Sequence, residues 1–165
     1  MSEPVFFRGK SCFVLIADSH HNQAMLEKLS AEIQDAGGLI LLGDCVQDAE
    51  YLRKKLPYPD VYAVKGNCDY FDRAPEEISG RLFRENGPVF LACHGHRWGV
   101  KMNPLSLLYH AKEQGAAAAF YGHTHFPAMD REEGVLLVNP GALKDGYYAL
   151  VRFENSMLKV EHKKL

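Results

Sequence analysis

The sequence predicts an α/β domain, in which short buried strands alternate with helices before the chain ends in antiparallel strands. Apolar runs of strand length recur along the first two thirds, helical spacings separate them, and the last third shows strand patterns only. The 165 residues are 47% apolar and 24% charged, which is typical of a globular protein. We therefore expect one domain spanning residues 1–165, with two packed sheets and helices outside them.

The first part of the chain contains three continuous apolar runs that predict strands covered on both faces. The pattern after Asn22 is helical and closes at Gly37-Gly38, a sequence that commonly ends a helix. Asp48 is predicted to cap a short helix, which Pro57 ends. The three predicted strands are residues 12–17, 39–42 and 61–65.

The second part of the chain adds one helix and six predicted strands. Asn103-Pro104 resembles a cap followed by proline at the first helical position, and the helix is expected to end at Gly115. Residues 154–156 are a predicted hairpin turn between the last two strands. The predicted strands are residues 81–85, 89–93, 117–121, 134–138, 147–153 and 157–162.

Five of the predicted strands are followed at once by residue types that bind metals. Each motif alone has an ordinary explanation, such as a turn residue or a solvated histidine. Strand ends of α/β sheets are where such folds place their sites, so five recurrences together predict a metal site. The motifs are Asp18-Ser19-His20, Gly43-Asp44, Gly66-Asn67-Cys68-Asp69, His94-Gly95-His96 and Gly122-His123-Thr124-His125.

The mixture of imidazole, carboxylate and amide donors favours Mn, Fe, Zn, Co or Ni over an all-oxygen cage for Mg or Ca. Two cations roughly 3.5–4 Å apart share a ligand, for which a carboxylate is suited. The four cysteines lack CxxC spacing, which disfavours a zinc ribbon or an Fe–S site and indicates reduced thiols. Cys45 and Cys93 adjoin predicted ligands, and alternation should turn both into packing.

The ordered motifs, followed by NPGAL at residues 139–143, resemble those of the calcineurin-like metallophosphoesterases, and among them the small single-domain YfcE-type phosphodiesterases. The resemblance extends from Cys12 nearly to the C-terminus. It implies a four-layer αββα sandwich of two mixed sheets flanked by helices. It also implies hydrolysis of phosphate esters, most of all diesters, by a hydroxide bridging two divalent metal ions. Mn²⁺ is expected first, with Ni²⁺, Co²⁺, Fe²⁺, Zn²⁺ and Mg²⁺ as alternatives.

The resemblance also assigns roles to individual residues. Asp44 and Asn67 are implied to be catalytic as well as metal-binding. His96 is a candidate for contacting phosphate, or for supporting His94 from behind. The implied ligands are Asp18, His20 and His125 for one cation, Asn67, His94 and His123 for the other, and Asp44 bridging both.

Cys68 departs from the pattern of many larger relatives. These have a histidine at that position, which is taken to protonate the leaving group, whereas the small YfcE-type members share the cysteine. A thiol is a weaker acid than imidazolium, so Cys68 predicts little acid assistance to a poor leaving group.

A scaffold for protein interactions is the alternative from a different functional class, because one retromer subunit has this fold. All seven ligand positions hold competent residue types, which favours the enzyme. A net charge of −2 argues against duplex nucleic acid. A small phosphate-ester or nucleotide-like substrate is expected, because a metal pair can supply positive charge locally. A nuclease acting on long chains is a third alternative, which the absence of basic patches disfavours. Neither a signal peptide nor a membrane-spanning run is evident, so a cytoplasmic protein without membrane contact is expected. Edge strands and aromatic residues leave a homo-oligomer open.

Overall fold

The computed structural model describes residues 3–165, which contain three α-helices and eleven strands. Among these helices, none has the length and apolar character that crossing a bilayer requires. The helices are α1 Gln23–Glu32, α2 Asp48–Lys55 and α3 Leu105–Glu113. The strands are β1 Val5–Phe6, β2 Cys12–Ile16, β3 Leu39–Leu41, β4 Val61–Ala63, β5 Glu77–Leu82, β6 Val89–Cys93, β7 Ala118–Phe120, β8 Pro127–Glu132, β9 Val135–Pro140, β10 Tyr147–Glu154 and β11 Met157–Lys164.

The strands form two mixed sheets. One has the order β11-β10-β2-β3-β4, and the other has the order β1-β5-β6-β7-β9-β8. In the first sheet β2, β3 and β4 are parallel, so that Ile40 lies between Leu15 and Tyr62. In the second, β6 and β7 are also parallel. Parallel strands end at the same edge of a sheet, so the loops that follow these five strands lie close together.

The space between the two sheets holds the main apolar core. Phe13 and Leu15 of β2 meet Phe90 and Phe120 from the other sheet there, and all four side chains are fully buried. The rings of Phe13 and Phe120 are 5.8 Å apart in an edge-to-face arrangement, which is a favourable geometry for aromatic pairs. This core holds the two sheets face to face.

The outer face of each sheet is covered by helices. Because side chains alternate along a strand, Val14 and Ile16 point away from the central core and pack with α1 and α2. On the opposite side, Leu91 and Ala119 pack with Leu107 and its neighbours on α3. The layers are therefore helix, sheet, sheet and helix, which confirms the αββα prediction.

Most predicted elements are confirmed within a few residues. Asn22 caps α1, since its side chain accepts a hydrogen bond from the Met25 amide at 3.3 Å. The predicted turn at residues 154–156 is a two-residue hairpin turn, in which Asn155 and Ser156 both have positive φ. This left-handed pair matches the right-handed twist of the flanking strands.

Some predictions were wrong. The strand predicted at residues 81–85 is β5, which begins four residues earlier, and β1 and β8 were not predicted. All six residues of β8 are exposed, so no apolar pattern marks it. Asp48 is the first residue of α2 rather than its cap, because its carboxylate accepts hydrogen bonds from Ser19 and His21 instead.

Candidate metal centre

The structure brings all seven predicted ligands together at the strand ends. Two follow β2, one follows β3, one follows β4, one follows β6 and two follow β7. Their positions agree with the expected grouping, although whether each one binds a metal stays a prediction. The residues are Asp18, His20, Asp44, Asn67, His94, His123 and His125.

The first group consists of Asp18, His20 and His125, whose donor atoms all lie within 4.8 Å of one another. Nε2 of His125 lies 3.4 Å from Oδ1 of Asp18, and Nε2 of His20 lies 4.0 Å from the same oxygen. Donors held at about 2.1 Å by one tetrahedral ion are roughly 3.4 Å apart. The group therefore has the dimensions of a metal site.

The second group is centred on His94. Its Nε2 lies 3.0 Å from Oδ1 of Asn67 and 3.1 Å from Nδ1 of His123. Its Nδ1 donates a hydrogen bond to the carbonyl oxygen of Leu42 at 2.7 Å. Metal-binding histidines are usually oriented in this way, with one nitrogen tied to the backbone and the other directed at the ion.

Asp44 lies between the two groups. Its Oδ2 is 3.5 Å from Nε2 of His94 and 3.7 Å from Nε2 of His20. Its Oδ1 accepts a hydrogen bond from the Cys68 amide at 2.9 Å, which fixes the carboxylate. Asp44 thus has the position that a bridging ligand requires.

Two buried atoms in this cluster show that its donors suit a cation. Asp18 is fully buried, and its Oδ2 accepts a hydrogen bond from the His123 amide at 3.1 Å. Among the residues that the structure describes, Asp18 Oδ1 and His20 Nε2 belong to the few buried side-chain atoms without a hydrogen-bond partner. Buried polar atoms nearly always have partners, so a cation is a physically reasonable partner for both.

The electrostatics of the two carboxylates support the same conclusion. Burial raises the pKa of Asp18 to about 7, because the attraction of His94 offsets only part of the cost and Asp44 adds repulsion. Burial would also raise the pKa of Asp44, but the hydrogen bond and charge of His94 hold that pKa well below its usual range. A cation beside Asp18 would stabilise its ionised form.

The histidines at the rim are held in the neutral form that binds metals. Burial, together with the charge of His94, lowers the pKa of His123 to about 4. Burial also lowers the pKa of His125, with Lys144 adding to the effect. His94 differs, because burial would lower its pKa but Asp44 and Asp18 raise it. At neutral pH, therefore, His123 and His125 have lone pairs available for coordination.

Strained backbone is concentrated in the cluster. Non-glycine residues rarely adopt positive φ, and such strain persists where surrounding structure enforces it, often at functional sites. Two glycines are required by close packing: a Cβ on Gly66 would lie 2.2 Å from Oδ1 of Asp44, and one on Gly43 would lie 2.6 Å from Nδ1 of His94. Five of the seven predicted ligands have positive φ: Asp18, His20, Asp44, His123 and His125.

Asp69 is a supporting residue for which the sequence reasoning assigned no role. Its buried carboxylate accepts hydrogen bonds from the amides of Asp44, Cys45, Val46 and Gly66, at 2.8–3.1 Å. It thereby joins the loop after β3 to the loop after β4. The sequence feature that could have indicated this role is the position of Asp69 at the end of the Gly66–Asp69 motif.

Asn139 is a second supporting residue, and it holds the loop after β7 in place. It is fully buried, and its Nδ2 donates to the carbonyl oxygen of Gly122 at 3.0 Å and to Oγ1 of Thr124 at 2.9 Å. Its Oδ1 accepts from the Gly141 amide at 2.9 Å. These contacts hold the segment that carries His123, and the NPGAL motif was the signal for them.

His96 lies beside the cluster rather than within it. Its ring is 5.4 Å from that of His94, and its Nε2 is 3.9 Å from Oε2 of Glu76. Burial and the charge of His94 lower its pKa. With His94 and Trp98 it lines an open cavity of about 440 Å³, where a substrate group could reach it.

The cysteines next to the ligands behave differently from one another. Cys93 is buried against α3, as predicted. Cys68 is exposed, and its Sγ accepts a hydrogen bond from Nδ2 of Asn67 at 3.6 Å. Partial burial and the charge of Asp44 raise its pKa, which keeps the proton on the sulfur. The prediction for Cys45 was wrong: a φ of 78° places it in a cavity with His21 instead of in packing.

Comparison with known families agrees with this geometry. The calcineurin-like phosphoesterase superfamily domain matches residues 12–157. The probable metallophosphoesterase YsnB of Bacillus subtilis is 30% identical over 154 residues, which cover 89% of this chain and 87% of that protein. The chain therefore belongs to the calcineurin-like phosphoesterase superfamily.

Solved structures share the fold. A predicted phosphoesterase from Streptococcus pneumoniae TIGR4 has a TM-score of 0.77 and 25% identity, covering 94% of this chain and 90% of that one. Vacuolar protein sorting 29 of Cryptosporidium parvum has a TM-score of 0.69 and 16% identity, covering 94% of this chain and 98% of that one. The second likeness concerns the fold alone.

Proposed function

We propose that this chain is a dinuclear metal-dependent phosphodiesterase acting on small phosphate diesters. One observation carries the proposal: nitrogen and oxygen donors from five loops meet around the buried carboxylates of Asp18 and Asp44. When bound there, two divalent cations would supply Lewis acidity and a means of ionising water near neutral pH. Mn²⁺ is the ion we expect first, and mixed imidazole, carboxylate and amide donors also suit Fe²⁺, Co²⁺, Ni²⁺ and Zn²⁺.

The ligand groups divide the work of holding the cations. Asp18, His20 and His125 would hold one of them, and Asn67, His94 and His123 would hold the other. Asp44 would be shared, since its Oδ2 lies within 3.7 Å of a histidine nitrogen from each group. Asp69 would hold the loops after β3 and β4 in place during turnover, and Asn139 would hold the loop after β7.

The cavity beside the centre supports a small substrate. His94 contributes to its wall, so a diester with its phosphorus at the centre could extend one ester group into this space. The lining has two glutamates, Glu76 and Glu77, and one arginine, Arg97. Such a lining is poorly suited to a polyanionic nucleic-acid chain, whose binding needs several Lys or Arg side chains to contact its phosphates. His96, held neutral, could donate a hydrogen bond to a phosphate oxygen.

The scaffold alternative has one observation in its favour. Tyr70, Phe71 and Phe126 are large apolar residues with exposures of 77%, 101% and 74%, and exposed aromatic residues are common at protein interfaces. A scaffold, however, gives no physical reason to retain a buried carboxylate pair with a full set of donors around it.

The test is turnover of aryl phosphodiesters and monoesters by chelator-treated protein after addition of Mn²⁺, Ni²⁺, Co²⁺, Zn²⁺ or Mg²⁺. We expect diester hydrolysis that depends on added metal and is lost in Asp44→Asn. Asp35→Asn, an exposed carboxylate outside the centre, is the matched control and should retain full activity. If the protein binds metal but hydrolyses none of these esters with any of the five metal ions, the result would favour the scaffold alternative.

A further inference from the structure

Three metal-binding side chains outside the predicted centre lie together beside it. They are His21, Cys45 and Asp48, and their donor atoms all lie within 4.8 Å of one another. Nδ1 of His21 is 2.7 Å from Oδ1 of Asp48. None of the three belongs to the seven predicted ligands, so the phosphodiesterase proposal does not account for their meeting.

Asp48 is held in place before any ligand arrives. It is 5% exposed, and its Oδ2 accepts hydrogen bonds from Oγ of Ser19 at 2.6 Å and from the His21 amide at 3.1 Å. Those contacts leave Oδ1 directed at the imidazole of His21. Carboxylates that bind metals are typically fixed in this way by hydrogen bonds to their other oxygen.

The thiol of Cys45 distinguishes this cluster from an ordinary histidine–aspartate hydrogen bond. Such a hydrogen bond needs no sulfur nearby, yet Cys45 has a left-handed backbone with a φ of 78°, a costly conformation for a side chain with a Cβ. Asp69 enforces that conformation by accepting the Cys45 amide at 2.9 Å. The result places the thiol with His21 in a solvent-accessible cavity of about 200 Å³.

We propose that His21 Nδ1, Cys45 Sγ and Asp48 Oδ1 bind a third divalent cation, and that Zn²⁺ is preferred. One thiolate, one imidazole and one carboxylate form a donor set that suits zinc, and a solvent molecule completes a tetrahedral site with three protein ligands. On binding, the Cys45 thiol releases its proton to solvent as the sulfur–metal bond forms. Coordination through Nδ1 requires that any ring proton be on Nε2, and the exposed side chain of His21 can exchange its Nδ1 proton with solvent.

Such a cation would join two loops of the catalytic centre. His21 and Ser19 lie in the segment after β2 that carries Asp18 and His20, whereas Cys45 adjoins Asp44 after β3. A cation that binds only the folded state stabilises it, so occupancy should fix these two loops relative to each other. This inference does not depend on phosphodiesterase activity, because it concerns metal binding alone.

Cobalt absorption spectroscopy tests the proposal. The seven ligands of the predicted centre offer only nitrogen and oxygen, so a sulfur-to-cobalt charge-transfer band reports on Cys45 and not on that centre. We expect Co²⁺ to produce this band with an intensity that corresponds to one thiolate-bound ion per chain. Zn²⁺ added in an amount equal to the Co²⁺ should abolish the band. The band should be lost in Cys45→Ser and retained in Cys12→Ser, which removes a half-buried thiol on β2.

His21→Gln provides a second variant, because it leaves the thiol in place and should weaken Co²⁺ binding at the site about tenfold or more. Stabilisation of both variants by Mn²⁺ shows that their fold and the main centre are intact. A wild-type protein without the band overturns the proposal. So does a band that persists in Cys45→Ser, or one that is lost in Cys68→Ser while Cys45→Ser retains it.

Discussion

Because its Asp18 carboxylate is buried, the wild-type protein should be less stable than Asp18→Asn without metal and more stable than Asp18→Asn with metal. Among the described residues no group donates a hydrogen bond to Oδ1 of Asp18, so without a cation the ionised form should be poorly compensated. We predict that Asp18→Asn stabilises the metal-free protein. Asparagine has nearly the same shape and tolerates the positive φ of this position, and its Oδ1 can still accept from the His123 amide.

The size and sign of the effect follow from the pKa of Asp18. The rise from 3.8 to about 7 corresponds to a ceiling of about 4 kcal/mol, at roughly 1.4 kcal/mol per pKa unit. We expect about half of this, roughly 2 kcal/mol, because His94 loses an attractive partner in the variant. Between pH 3.8 and about pH 7 the folded state binds more protons at Asp18 than the unfolded state does. The stability that Asp18 contributes in its protonated form is therefore lost as the pH rises through this range. The advantage of Asp18→Asn is therefore small near pH 4 and complete above pH 7.

Urea unfolding at about pH 5 and pH 8, with chelator or with Mn²⁺, measures the effect. With chelator at pH 8 the variant should unfold at higher urea than wild type. With Mn²⁺ the order should reverse, because wild type gains stability by mass action. Asp69→Asn is the matched control, since its carboxylate accepts four backbone hydrogen bonds and its replacement should destabilise the protein at both pH values.

Two results would refute this reasoning. The first is an Asp18→Asn variant no more stable than wild type in chelator at pH 8. The second is equal stabilisation of both proteins by Mn²⁺, which would mean that Asp18 is not a ligand.

Three further predictions concern Asp44, Cys68 and Asn139. Asp44→Asn should lower diester turnover about a hundredfold or more, because it removes the shared anionic ligand; full activity with full metal occupancy would exclude a bridging role. Aryl diesters should be hydrolysed well and alkyl esters poorly, with Cys68→Ala changing little and Cys68→His flattening the dependence on leaving-group pKa; a flat wild-type series would contradict this. Asn139→Ala leaves the Gly122 carbonyl and Thr124 hydroxyl without their buried donor, and should cost about 2 kcal/mol in urea unfolding and weaken Mn²⁺ binding; unchanged binding would show that the loop is held by other contacts.

The central strands were predictable because burial on both faces leaves a direct trace in the sequence. The apolar runs that became β2, β3 and β6 were predicted within one or two residues. By contrast, β8 pairs with β9 while all six of its side chains remain exposed. Backbone pairing holds such an edge strand in place, and backbone pairing leaves no hydropathy pattern.

The candidate site was predictable in its residue types and not in its conformation. The ligand motifs stand next to the strands, and hence their convergence could be expected from parallel pairing. The left-handed backbone of Asp44 depends on contacts distant in sequence, such as the hydrogen bond that Asp69 accepts from the Asp44 amide. The same reason explains the error at Cys45, since period-two alternation ends where the strand does.

Anomalous diffraction from crystals grown with Mn²⁺ tests the central claim most directly. We predict two manganese peaks, one coordinated by Asp18, His20 and His125 and the other by Asn67, His94 and His123, with Asp44 contacting both. A single peak, or peaks that leave Asp44 without a metal contact, would contradict a dinuclear centre built from these residues.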